Sequence, residues 1–244
     1  MLWMVLLGLV PVFYGILVYI LKPIALGDDF SISGVFPKLA FSMYLHFLLP
    51  LMTVFIGTSV IIDEVESATL PYLLVRPVPR WKTVLAKVLA SEVMLAIILC
   101  GSLSVSFGLM SLDGGMANVC TIGEFFTAIG VLTAGCFAYI SLFSLVGGSI
   151  KKPVLTGLLF TFGWEKIVGS LPGSLRFTTV IYYLNSLFPF KEQAGSSNLF
   201  SLLRATTSTL TAWKAALILL ILMAVLHWAA ASLLSLKEFA HQEE

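Results

Sequence analysis

Residues 39–62 read LAFSMYLHFLLPLMTVFIGTSVII, and no Asp, Glu, Lys or Arg interrupts these 24 positions. The hydrocarbon core of a bilayer is about 30 Å thick, so a spanning helix needs roughly 20 largely apolar residues. The run does not alternate with period two, as a barrel strand would. Hydrocarbon offers no partner to an unpaired N–H or C=O, so a long apolar run there must pair its own backbone. This stretch reads as a membrane-spanning helix.

Working outward, five more stretches follow the same logic. The expected spans are 2–21, 39–62, 88–112, 125–150, 153–171 and 213–236. The fifth is the least regular, being short and interrupted by Glu165 and Lys166. A hydrophobic content of 59% with only 11% charged residues, and a mean hydropathy of +1.01, lie well beyond soluble-protein composition. With no internal repeat and no low-complexity tract, residues 1–244 read as a single transmembrane domain. The expected fold is an all-α integral membrane protein of six transmembrane helices.

The first run lacks a basic n-region and a small-residue cleavage site, so it is expected to stay as an uncleaved span. The cysteines, Cys100, Cys120 and Cys136, show no metal spacing and no paired framework. They are expected to be small apolar fillers, with no metal and no cofactor. A net charge of +1 points to no nucleic-acid partner.

Six spans place both termini on one side. If that side is the cytoplasm, the inner connections hold Arg76, Arg80, Lys82, Lys87, Lys151, Lys152 and Lys237. The outer segments hold as many basic residues, but five of them sit in the one long stretch from Lys166 to Lys214. Charges in short loops weigh most in setting topology, so cytoplasmic termini are expected. The long outer segment, 172–212, carries an apolar stretch including Val180, Ile181, Tyr183 and Leu184 that is too short to span. It is expected to be interfacial or re-entrant before the last helix.

The densest mixed charge lies between the second and third spans, DEVESATLPYLLVRPVPRWKTVLAK from Asp63 to Lys87. Glu64 and Glu66 suit the positive end of a helix dipole. Leu70, Leu73 and Leu74 recur at helical spacing, and Pro77 and Pro79 end any helix. Arg80, Lys82 and Lys87 suit the start of a span at an anionic surface. A solvated amphipathic loop that merely joins two spans fits these residues as well.

The run Glu64-x-x-x-x-Thr69-Leu70-x-x-Leu73-Leu74-x-x-Pro77-Val78-x-Arg80, followed by Lys87, resembles the loop after the second span of type-2 ATP-binding-cassette (ABC) exporter permeases. The layout of six spans with a long outer segment before the last is similar too. The motif covers about a tenth of the chain and is less specific than a metal-site signature. The resemblance implies that this loop is a short cytoplasmic coupling helix docking a separate ABC ATPase subunit, with Glu64, Glu66, Thr69, Leu70, Leu73, Leu74 and Arg80 as the docking residues. It also implies a second permease copy or a paralogue, and residence in the plasma or inner membrane as an exporter. Two departures stand out. Ala68 occupies a position usually held by glycine, which is tolerable. The chain also starts almost inside the membrane, which puts the family's elbow helix in doubt.

Ionisable groups inside a membrane are functional candidates by default. Glu165 lies roughly 18 Å beyond Pro153 along a straight helix, too deep for an interfacial charge. It needs a partner on another helix or a polar cavity, and is a candidate for the substrate path or gating. Glu92, His46 and His227 read as paired or packing residues. Gly101, Gly108, Gly130 with Ala134, and Gly147 with Gly148 read as sites of close helix approach. The chain holds no G-x-x-x-x-G-K-[ST] loop, no G-x-S-x-G and no H-E-x-x-H, so ATP hydrolysis is expected on the partner. Two rival readings are a membrane anchor that recruits a soluble partner without transport, and an intramembrane enzyme built on Glu165 or His227.

Overall fold

A computed structural model describes residues 2–21, 35–66, 80–112, 119–150, 152–170, 174–190 and 211–240. All regular structure among them is helical, and the chain is an all-α membrane protein. Helix α1 is Leu2–Leu21. Helix α2 covers 35–66 as Val35–Leu39, a π-helical stretch Ala40–Leu48, and Leu49–Glu66. Helix α3 is Arg80–Ser111 and α4 is Ile122–Ser149. Helix α5 covers 153–170 as Pro153–Leu159, a second π-helical stretch Phe160–Glu165, and Lys166–Ser170. A 3₁₀ turn, Ser174–Thr178, leads into the short α6, Val180–Leu187, and α7 is Ala212–Ala240.

Four helical stretches among the described residues are long and apolar enough to cross a membrane: Val35–Val60, Val84–Ser111, Ile122–Ser149 and Ala212–Ala230. Val5–Val18 is a shorter apolar one, and the helix over 153–170 stands outside that set. At 32 residues α3 is about 48 Å long, more than a bilayer core needs, because its basic first turns precede the apolar stretch.

The bundle is built around α2 and α4. Within their apolar stretches 61% and 56% of residues are buried, against 11% for α7, so α7 packs on the outside. Two glycines set the central contact. A Cβ on Gly57 would stand 2.7 Å from Phe143 Cβ, and one on Gly147 would stand 2.9 Å from the backbone oxygen of Thr58. Only hydrogen fits there, so α2 and α4 approach backbone to backbone. Gly101, Gly108 and Gly130, by contrast, meet nothing within 4 Å. The close approach expected of them is not made among the described residues, because they lie on the outer faces of α3 and α4.

The outward faces are apolar. Phe13, Ile97, Leu159, Leu220 and Trp228 are all exposed large hydrophobic side chains, as lipid-facing positions should be. One end of the bundle is closed by aromatic rings. Phe36 at the start of α2 meets Phe107 of α3 at 5.4 Å and Phe190, just past α6, at 5.7 Å. Phe107 stacks on Phe125 of α4 at 4.5 Å. Helix α4 starts three residues ahead of the expected span because Thr121 and Glu124 form a reciprocal capping box.

Candidate functional site

Helix α6 begins in the middle of the bundle. Its first residues pack beside Gly169 of α5, where a Cβ would meet Ile181 Cγ2 at 2.8 Å. Its last turn leads to Phe188 and Phe190 in the aromatic end cluster. The stretch expected to be interfacial or re-entrant is thus a helix of eight residues with Val180, Ile181, Tyr183 and Leu184 buried. A helix N-terminus exposes N–H groups that have no partner in the helix itself, and in an apolar interior each costs several kcal/mol unless satisfied.

Glu165 satisfies two of them. Its carboxylate accepts from the amides of Val180 at 3.1 Å and Ile181 at 3.0 Å. The Tyr139 hydroxyl of α4 donates to the same carboxylate at 2.9 Å. Glu165 is 2% exposed, and the negative charge faces the positive end of the α6 dipole. Tyr139 lies ten residues before Ser149, about 15 Å along α4, matching the depth of Glu165 along α5. One carboxylate therefore fastens three helices at mid-bundle. The partner on another helix that the sequence required is Tyr139, joined by backbone amides that no sequence pattern marks.

Both π-helical stretches face this cluster. A cavity of about 20 Å³ lies between them, lined by His46 and Pro50 of α2, Tyr139 of α4, Thr161, Phe162, Glu165 and Lys166 of α5, and Ile181 of α6. That is space for one water molecule and far too small for a transported substrate. The Thr161 hydroxyl is buried and makes no hydrogen bond within the described protein. A π-helical turn widens the helix and loosens its ladder, and such turns concentrate where helices must adjust. Glu165 is the last residue of the second stretch, and the first stretch lies across the cavity from it.

A second buried ion contact joins α3 to α7. His227 Nε2 lies 2.9 Å from Glu92 Oε1 and 3.1 Å from Oε2, and Glu92 is fully buried. The sequence assigned these residues to pairing or packing separately, and 135 positions of separation hid that they are each other's partner. A third polar node binds α1, α2 and α3. The Tyr44 hydroxyl lies 2.8 Å from Ser102 Oγ and 2.9 Å from Ser106 Oγ, and Ser102 in turn donates to the carbonyl of Gly8.

Of the expected docking residues, Thr69, Leu70, Leu73 and Leu74 lie outside the described residues. Glu64 and Glu66 are in the last turn of α2 and Arg80 is the first residue of α3, but their side chains also lie outside the described set. In the chain, 67–79 follow the last residue of α2 and precede the first of α3. Among the described residues no group of three or more His, Cys, Asp and Glu is placed to hold a metal ion.

An all-helical bundle with apolar outer faces, buried polar fasteners and a short internal helix defines a multi-pass membrane protein. Residues 4–238 match the family model of the ABC-2 family transporter proteins. The chain belongs to that family, and is thereby a membrane permease component of an ABC transporter. No curated protein and no solved structure matches it.

Proposed function

We propose that this chain is the permease subunit of an ABC exporter, driven by a separate ATPase that docks on residues 64–80. What carries the reading is the family match over 4–238, joined to the acid-Leu-Pro-Arg pattern at Glu64, Thr69, Leu70, Leu73, Leu74 and Arg80. The chain lacks a nucleotide-binding loop of its own. The working unit is two permease subunits, copies or paralogues, with two ATPases below. All six apolar segments span, with both termini in the cytoplasm of the plasma or inner membrane.

In this reading, α2 and α3 act as a pair of levers. The docking segment joins their ends, so an ATPase closing on it tilts both helices together. The tilt moves α2 against α5 at the two π-helical stretches, where Glu165 holds α6. Glu165 then serves gating, by keeping the short helix seated while the path rearranges. A change of state needs differential contacts in the two states, and the docked segment supplies them.

The test is an affinity pull-down of the tagged chain in mild detergent from its native host. An ABC ATPase is expected to co-elute in near-equal amount. It should be lost when Glu64 and Glu66 are reversed to lysine together with Leu73→Asp. Retention of the ATPase by that variant would overturn the docking assignment, and a chain that always purifies alone would overturn the permease reading.

A further inference from the structure

We propose that Glu92 and His227 form an intramembrane proton-binding site that ties α3 to α7, with one proton held between the imidazole and the carboxylate. The hydrogen-bond geometry requires it. His227 Nδ1 lies 2.8 Å from the carbonyl oxygen of Met223. A carbonyl only accepts, so Nδ1 carries a hydrogen. In a neutral imidazole of that tautomer Nε2 is a bare lone pair. It would then face both oxygens of Glu92, 2.9 and 3.1 Å away, with nothing between them. Lone pair against carboxylate repels. A proton between them turns the contact into a hydrogen bond, as imidazolium with carboxylate or as imidazole with carboxylic acid. Both forms are neutral overall.

The surroundings require the same proton. Glu92 is fully buried, and an unpaired carboxylate in an apolar interior is costly. Among the described residues no other charged group acts on either partner. Cys136 on α4 lies close enough to feel the Glu92 charge, and a thiol supplies no cation. The closest aromatic ring on α4 is Phe137, 6.5 Å from the imidazole. Removing the proton would leave one uncompensated negative charge. His227 keeps 16% of its side chain exposed, while Glu92 is fully enclosed.

The position gives the site a consequence. Glu92 lies eight residues into the apolar stretch that starts at Val84, about 12 Å. His227 lies three residues before its end at Ala230, about 5 Å. Both are in the half of the bundle nearer the start of α3. Helix α7 also packs on α4 and α6, and the proton governs its polar tie to α3.

The test uses the full chain, labelled with ¹⁵N-histidine, in detergent micelles or nanodiscs. The sequence has three histidines, so His227→Asn assigns the signal. At neutral pH the expected result is Nδ1 protonated, with a second proton on Nε2 or on the Glu92 carboxyl, the latter read as a carboxylic C=O infrared band that Glu92→Gln removes. As pH rises, the pair should lose one proton in a single step. The thermal midpoint should fall as pH rises from the range where a free histidine loses its proton up to that step, and level off beyond it. This fall should be absent in Glu92→Gln, whose amide donates to Nε2 without a titrating proton. An ionised Glu92 beside a bare Nε2 at neutral pH would overturn the proposal. So would a proton step in the spectra with no change in stability. The spectra are taken on the unaltered chain, so they decide even if a variant does not fold.

Discussion

Tyr139 and Glu165 meet at 2.9 Å between α4 and α5, and the carboxylate that receives the hydroxyl also closes the N-terminus of α6. The contact is graded by what each partner leaves behind. Tyr139→Phe removes one donor from a charged acceptor that keeps two amides, and should cost about 1–2 kcal/mol. Glu165→Ala strands two amides and a hydroxyl in an apolar interior and should cost more, about 3–5 kcal/mol. Glu165→Gln should fall between, since one of its two acceptors becomes a donor facing donors. Thermal unfolding of the three purified variants checks the order. Equal effects for Tyr139→Phe and Glu165→Ala would mean that the carboxylate does not hold α6.

The glycines separate into two groups with opposite expected signs. At Gly147 an added methyl meets the Thr58 backbone at 2.9 Å, and backbone cannot step aside as a flexible side chain can. Gly147→Ala should therefore destabilise by roughly 1–3 kcal/mol. Gly101→Ala meets nothing within 4 Å, so helix propensity alone acts. It should stabilise by up to about 1 kcal/mol. Unfolding midpoints of the two single variants, in the same detergent, decide the matter.

Residues 39–62 made the class of fold legible at once, because the length of a charge-free run answers a physical requirement of the bilayer. Glu165 was legible as a problem, since its depth demanded a partner, but its solution was not. Two of its three donors are backbone amides of Val180 and Ile181, and every residue has one. His227 and Glu92 each looked like ordinary packing residues because the contact depends on how α3 and α7 cross, which periodicity does not encode. Gly101 and Gly147 look alike in sequence, and only the packing distinguishes the glycine under a neighbouring backbone from the one facing outward. The Thr121–Glu124 box is the reverse case, a local signal readable in the sequence that moves the start of α4.

Tyr44 reaches two hydroxyls of α3, Ser102 at 2.8 Å and Ser106 at 2.9 Å. Polar contacts between membrane helices average only about 0.6 kcal/mol, because the partners find substitutes when separated. Tyr44→Phe should accordingly cost roughly 1 kcal/mol, less than Gly147→Ala despite removing two hydrogen bonds. A loss of about 3 kcal/mol or more in the unfolding midpoint would show that Tyr44, Ser102 and the Gly8 carbonyl act as one cooperative network.

Cys120 sits just ahead of α4 and is 7% exposed. Burial, assisted by the nearby Glu124 charge, pushes its thiol up to about 11. The reactive species is the thiolate, so maleimide should label Cys120 very slowly at pH 7–8 in the folded protein and rapidly once it is unfolded. The sign of the linked stability follows. The unfolded thiol ionises near pH 8.5 and the folded one only near 11. The unfolded state thus loses its proton first, and stability should fall as pH rises between those values. Cys120→Ser removes the thiol and should flatten that alkaline decline while leaving the midpoint near neutral pH within about 1 kcal/mol of the original, because the replaced atom is small. A steep decline that persists in Cys120→Ser would place its origin in another titrating group.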